Sequence, residues 1–415
     1  MTNTESSIFH SAHILGMAAF LFLPLSFLAP KGIAALFVLT AVGILLLKIV
    51  RKENVRPDWT AGTGLLTAFA GWVVLSLFWS SDPVSILKSA LVLVMALYGG
   101  WLIFREARNL GDFQRRFFET ALLLGGGLGL LVAGVELMSD NAMVRMFKSI
   151  SGNPIPSGEP LFHTLNRGAA AASLVVWPVA AILFRRYGAG YAIAGFAVFV
   201  LVVFSCQADS HKVALMLGVA TFVGGWVFFR KTLAAMMIVI SLGVIGAPWI
   251  TQNLPDPQKQ GSPTLALPNS TQHRIHIWRT TASHIFEKPL AGHGFNASRS
   301  LYGSSDKVKI HFGGGRDKGG WTNSFEPIPL HPHNGVLQVW LELGLLGAIM
   351  LGAGALLALW SMTRSSERHN AIVLAAFMTA LFIYAVSFGT WQGWWIGALW
   401  LLGSFLAATE SGENA

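Results

Sequence analysis

Residues 333–361 read HNGVLQVWLELGLLGAIMLGAGALLALWS, a long apolar run that opens on an imidazole and contains one charged residue, Glu342. About 20 such residues suffice to cross the hydrocarbon core of a bilayer as a helix. At about 100° per residue, His333, Leu337, Trp340, Gly344 and Gly347 fall on one stripe of that helix. The spacing predicts a groove below His333, because the two glycines let a neighbouring helix or a lipid chain approach the backbone. The imidazole sits at the lip, where the helix meets water.

Runs of this kind recur along almost the whole chain. Of 415 residues, 53% are hydrophobic and 12% charged, with 15 Trp and 28 Phe, which is too apolar for a water-soluble protein of this length. The sequence predicts an all-α, polytopic membrane protein with about twelve transmembrane helices. They lie near 11–29, 32–49, 60–79, 84–104, 117–138, 165–184, 190–206, 212–229, 232–250, 334–361, 370–389 and 393–408.

The net charge of +9 does not point to nucleic acid, because the basic residues sort by side. Lys48, Arg51, Lys52 and Arg56 follow the second span, and Arg105, Arg108, Arg115 and Arg116 the fourth. Arg185 and Arg186, Arg230 and Lys231, and Arg364 and Arg368 follow the sixth, eighth and tenth. By the positive-inside rule both termini are cytoplasmic. The short loops on the other side, 29–32 and 80–83, are nearly uncharged. Residues 1–10 lack a basic flank and a small-residue cleavage site, so the first span reads as uncleaved. The lone Cys206 has no intrachain disulfide partner and reads as a buried thiol.

Two longer segments interrupt the spans on the uncharged side. The smaller, 139–167, holds Arg145, Lys148, a Pro-containing turn over 154–160, His163 and Arg167. The larger, 251–332, is long enough to form a unit of its own. The chain thus divides into 1–250 with nine spans, an outer loop unit over 251–333, and 334–415 with three spans. Within the loop, Ser270 or Thr271 is expected to cap an amphipathic helix over 272–287, ended by Pro289, Gly292 and Gly294. The Gly-rich stretch 313–320 reads as a lid or as a plain surface loop.

His333 reads as a general base toward a hydroxyl, since an imidazole titrates near neutral pH; the alternative is a helix-start histidine bonded to loop backbone. His331, beyond Pro332, reads as structural. Arg167, Lys212 and Arg274 are expected at the outer interface, where a cation can grip phosphate oxygens or snorkel to headgroups; Arg279 and Arg316 are weaker candidates. Glu136, Asp209 and Glu342 stand singly, with no Asp-x-Asp and no His-Glu-x-x-His, so no metal and no cofactor is expected. Glu342 is expected to pair within the bundle. Trp391, Trp394 and Trp395 read as an interfacial belt, or as a platform on which sugars stack.

Two motifs carry a family resemblance. His333-Asn334-x9-Gly344-x-x-Gly347, and Arg274-x-x-x-Trp278 running to Pro289, Gly292 and Gly294, resemble the O-antigen ligase and polymerase superfamily of bacterial envelope glycoconjugate assembly. The resemblance implies a GT-C-like, inverting, metal-independent glycosyltransferase of the inner membrane with a periplasmic active site. The implied donor is a glycan on undecaprenyl diphosphate and the implied acceptor lipid A-core, with membrane lipids around it and no nucleic acid. His333 would activate the acceptor hydroxyl while Arg167, Lys212 and Arg274 hold the diphosphate; Asn334, Gly344, Gly347 and Trp278 complete the motif. The chain departs from the superfamily at Ser210-His211-Lys212, where Ser-Arg is frequent, so that the cation there is lysine at best. A polymerase joining carrier-linked repeat units is the nearest rival, favoured less by the full His-x10-Gly-x-x-Gly pattern. A lipid-glycan flippase is the rival of another class, and would bury charges at the midplane.

Overall fold

The computed structural model describes residues 10–80, 82–156, 161, 164–259, 261–301, 307–312, 321–364 and 367–410. With no water in a bilayer core to satisfy backbone groups, each apolar run closes its own hydrogen bonds as a helix. In chain order these are α1 (Ser11–Leu28), α2 (Gly32–Val50), α3 (Ala61–Leu75), α4 (Pro83–Arg108), α5 (Asp112–Met138) and the short α6 (Ala142–Ile150). They continue as α7 (Asn166–Tyr187), α8 (Ala189–Ser205), α9 (Asp209–Gln252), α10 (Asn269–Glu287), α11 (Gly335–Ser361), α12 (Glu367–Val386) and α13 (Gly393–Thr409). Among the described residues, eight helices are long and apolar enough to cross a membrane, and three shorter ones are also apolar. The chain is a mostly helical, polytopic membrane protein.

α9 is 44 residues long and leaves helical geometry at Phe228 (φ −136°, ψ 56°). A Cβ on Gly224 would lie 3.0 Å from the Thr232 hydroxyl, although residues eight apart in a straight helix are separated by about 12 Å along the axis. The chain therefore reverses at Phe228, and α9 is two antiparallel arms that cover the expected spans 212–229 and 232–250. Both far ends meet α10: the Arg274 charge acts on His211, and Arg279 donates to the Gln252 carbonyl at 2.8 Å.

Small residues set the tightest helix pair. Gly125 and Gly129 of α5 face Phe20 and Leu23 of α1, where any Cβ would collide, so the two backbones pack in direct contact. Phe22, Phe27, Trp177, Trp395 and Phe405 centre the core that these helices share with α7 and α13. A second core joins the later arm of α9 to α11 through Met236, Ile240, Val244, Leu337 and Trp340. Leu39, Met95, Leu131, Leu201 and Leu242 point outward, an apolar surface too extensive for water and suited to lipid.

The ends of the helices sort into two faces. Lys48 at the end of α2 is buried between Glu53 and Glu106, at 2.9 and 2.6 Å. Glu119, in α5, takes Arg185 and Arg186 from the end of α7, and Arg185 also donates to the Thr409 carbonyl at 2.6 Å. His10, which caps α1, meets Gln114 at 2.8 Å. The first and last described helix ends thus share the basic face. The starts of α7, α9, α11 and α13 lie on the opposite one.

Two expectations need correction. The all-α expectation misses a hairpin in the large loop, where β1 (Val308–Phe312) and β2 (Trp321–Phe325) pair antiparallel, with Ile310 opposite Asn323; alternating apolar residues in 308–312 favour a strand. α10 begins at Asn269 after Pro268, without a side-chain cap, rather than at 272 under Ser270 or Thr271. The stretch 313–320 with Arg316, and His163, lie outside the described residues.

Candidate active site

The site forms where the start of α11 meets the turn between α12 and α13. Asn334 takes the N-cap position of α11, its side chain accepting from the Leu337 N–H at 3.0 Å. The residue before it, His333, has φ +54°, a left-handed conformation uncommon for a side-chain-bearing residue and found chiefly where surroundings hold it. The holding contacts are visible. The His333 N–H meets His331 Nδ1 at 3.2 Å, and His333 Nδ1 meets the Ser387 carbonyl at 2.9 Å.

A carbonyl only accepts, so Nδ1 is the nitrogen of His333 that carries the proton. That tautomer leaves the Nε2 lone pair free to receive one. Burial lowers the proton affinity of His333, the Ser387 contact raises it, and the Arg274 charge lowers it again. The balance falls below 6.5, and the ring is neutral at pH 7. The backbone bonding read as one alternative from the sequence is made by Nδ1 and leaves Nε2 unengaged.

Its neighbours are fixed from three directions. Trp278 donates to the Pro332 carbonyl at 3.0 Å, so α10 clamps the approach to His333. Thr390 donates through its N–H to Gln338 at 2.8 Å and through its hydroxyl to the Gly335 carbonyl at 3.2 Å. His331 packs against Gly389 and reaches Gln392 at 2.9 Å; burial holds its pKa down to about 3. It is a neutral support for the backbone that carries His333, as its position suggested.

Arg274 sits one helical turn before Trp278 on α10. Its charge acts on His333, His273 and His211, and among the described residues no carboxylate pairs with it. Arg167 lies over the Trp394 ring at 5.5 Å, likewise with no carboxylate partner among the described residues. Trp394 packs edge-on against Phe388 at 4.6 Å, and Phe388 stacks on His211 at 5.7 Å. Arg167 thus sits on the α12–α13 turn, and Arg274 acts on the same cluster through its charge, one helical turn from the Trp278 that bonds the Pro332 carbonyl.

Lys212 is not part of it. Its ammonium pairs with Asp209 at 3.1 Å on the first turn of α9. The side chain that α9 sends to the cluster is His211, 3% exposed. The tryptophans also differ from expectation. Trp394 and Trp395 are buried and form neither a lipid belt nor an open sugar platform. Trp391 donates to Glu342 at 2.5 Å.

The glycine stripe has a different purpose from a lipid groove. α11 breaks at Gly344 (φ +64°, ψ −161°), so His333 and Gly347 do not lie on one continuous face. The break admits the segment that follows α10. His293 and Gly294 donate to the Leu341 and Glu342 carbonyls, each at 2.9 Å, and Leu345 donates to the Pro289 carbonyl at 2.8 Å. Gly347 faces Leu343 and Val339 of its own helix. Among the described residues Glu342 pairs with no cation; it accepts from Asn296 N–H, the Ser298 hydroxyl, Gln338 and Trp391, at 2.5 to 3.0 Å. A carboxylate with this many donors needs no counter-ion.

A family profile described as O-Antigen ligase matches residues 208–352, which contain His211, Arg274 and His333. A protein of Rickettsia bellii provisionally named polysaccharide ligase is 30% identical over 343 residues, covering 80% of this chain and 77% of the relative. The chain belongs to the O-antigen ligase family. Similarly named proteins of Rickettsia conorii and Rickettsia typhi are 28% and 29% identical over 361 and 347 residues. The matches cover 84% and 80% of this chain, and 81% and 77% of those relatives. Family membership makes the chain a ligase-type enzyme, and His211, Arg274 and His333 lie within the matched segment while Arg167 and the α12–α13 turn lie outside it.

Proposed function

We propose that this member of the family is an O-antigen ligase, moving a glycan from undecaprenyl diphosphate to lipid A-core at the periplasmic face of the inner membrane. The observation that carries the reading is the His333 ring, tied at Nδ1 and open at Nε2, beside an arginine free of any described carboxylate. Nε2 takes the proton of the acceptor hydroxyl as its oxygen bonds to the anomeric carbon. The bond from that carbon to the diphosphate oxygen breaks, and undecaprenyl diphosphate leaves with the electron pair. Arg274 and Arg167 hold the diphosphate and offset the charge developing on it. The basic face is cytoplasmic, the two arms of α9 are separate spans, and the three shorter apolar helices also cross, which makes twelve spans in a GT-C-like scaffold. The loop 251–333 acts as one unit that brings Arg274 to His333.

The test offers the purified protein a labelled undecaprenyl-diphosphate glycan with either lipid A-core or a second carrier-linked unit. Label on lipid A-core is expected. Label only on the carrier-linked unit would make the protein a polymerase, and label transported without transfer would make it a flippase.

Two further results are expected in the same assay. Arg274→Ala and Arg167→Ala each raise the donor concentration needed for half-maximal rate about tenfold or more, the scale of a lost charge-assisted contact. Lys212→Ala, whose ammonium is engaged with Asp209, leaves it unchanged; the reverse pattern would return the diphosphate contact to Lys212. The pH profile follows from the neutral ring. Nε2 accepts a proton only while unprotonated, and burial lowers its pKa below 6.5, so kcat/KM falls along an acid limb centred below 6.5 and levels off as pH rises above it. An acid limb centred above 6.5 would be incompatible with His333 as the base.

A further inference from the structure

The structure assigns a second lipid-binding site on the opposite face of the protein, a cleft that we infer holds one anionic phospholipid. It lies between the later arm of α9 and the end of α11, with a volume of about 400 Å³, and is lined by Phe229, Arg230, Leu233, Met237, Trp360 and Thr363 among others. Its location follows from the packing of the two helices. Trp340 near the start of α11 meets Trp249 edge-on at 6.0 Å, Gly352 faces Val244, and Trp360 lines the cleft with Leu233 and Phe229, so the arm and α11 run antiparallel. Their paired ends, Phe229 and Trp360, reach the face that carries Lys48, Arg185 and Arg186.

The chemistry of the lining selects the occupant. Phe229, Leu233, Met237 and Trp360 make an apolar wall that, at the depth of acyl chains, is filled by hydrocarbon rather than water. Among the described residues Arg230 is the one charged residue of the lining. It is exposed, and no carboxylate pairs with it among the described residues. Lys231 beside it lies over the Phe228 ring at 5.4 Å, adding a second positive charge at the mouth. A basic group at the rim of an apolar interhelical pocket favours a headgroup with net negative charge over a zwitterionic one. The site is distinct from the donor diphosphate, which would be held by Arg274 and Arg167 on the other face. Its occupancy does not depend on the transfer reaction.

Native mass spectrometry of the full chain, purified in detergent and titrated with phosphatidylglycerol or phosphatidylcholine, tests the inference. One phosphatidylglycerol is expected to remain bound at concentrations where phosphatidylcholine does not. Arg230→Ala lowers the phosphatidylglycerol affinity about fivefold, the scale of one basic residue near an anionic headgroup. Ala234→Trp, an exposed position in the lining, fills the cleft and displaces the lipid with Arg230 intact. Arg108→Ala, an exposed cation on the same face but outside the cleft, leaves retention unchanged. Equal retention of the two lipids, or phosphatidylglycerol retention that Arg230→Ala and Ala234→Trp leave untouched, overturns the site.

Discussion

His333→Asn is expected to fold, insert and melt as the native protein does, and to transfer glycan about 10² to 10⁴ times more slowly, the range associated with loss of a general base. Asparagine is the informative replacement because of the backbone. His333 sits at φ +54°, a conformation that asparagine tolerates better than other side chains. His333→Ala removes the same lone pair but adds backbone strain, so a fall in its activity would mix two causes. The loss should appear in single-turnover rate with carrier-linked donor bound, while donor affinity stays near native, since the diphosphate is held by Arg274 and Arg167. Transfer by the asparagine variant at close to the native rate would remove His333 from the chemistry.

Much of this arrangement was readable in the sequence because it rests on local pattern. The spans announce themselves by length and apolarity, and basic residues after the second and sixth spans do pair at helix ends, Lys48 with Glu106 and Arg185 and Arg186 with Glu119. His333, Arg274 and Trp278 could be singled out because each stands at a polar-to-apolar boundary or in a short motif. The partners that give them their geometry could not. Ser387, whose carbonyl fixes the His333 tautomer, lies 54 residues further on in a turn with no unusual composition. His211 was overshadowed by the charge of Lys212 next to it, yet the two side chains are about 100° apart on the helix and only one can face the cluster. Gly344 was legible as a glycine that matters, but period alone cannot separate a glycine that admits a neighbour from one that breaks the helix. The break depends on donors from His293 and Gly294, some 50 residues earlier, which local sequence does not announce.

Gly344→Ala is expected to be among the most damaging single-methyl additions to the described residues. At φ +64°, ψ −161°, a region essentially confined to glycine, an alanine costs about 1–3 kcal/mol in backbone strain alone. Its Cβ would also collide with the Leu290 carbonyl and the Ala291 N–H, which are main chain and cannot rotate aside. Moving that segment away breaks the bonds from His293 and Gly294 to the Leu341 and Glu342 carbonyls and from Leu345 to the Pro289 carbonyl. Each buried group left unmet costs about 1–3 kcal/mol, so the total exceeds the roughly 4 kcal/mol that marks an exceptional substitution. The expected readout is loss of folded, monodisperse protein after detergent extraction. Gly354→Ala in the same helix is the control, because its Cβ would meet Leu65 at an ordinary 3.7 Å and alanine favours the helix. It should melt at or above the native temperature. The displaced segment is the continuation of α10, whose Trp278 clamps the residue before His333. Any Gly344→Ala protein that survives purification should therefore show weakened transfer as well, and a variant that both melts and transfers like the native protein would mean that the interruption of α11 does not hold the site together.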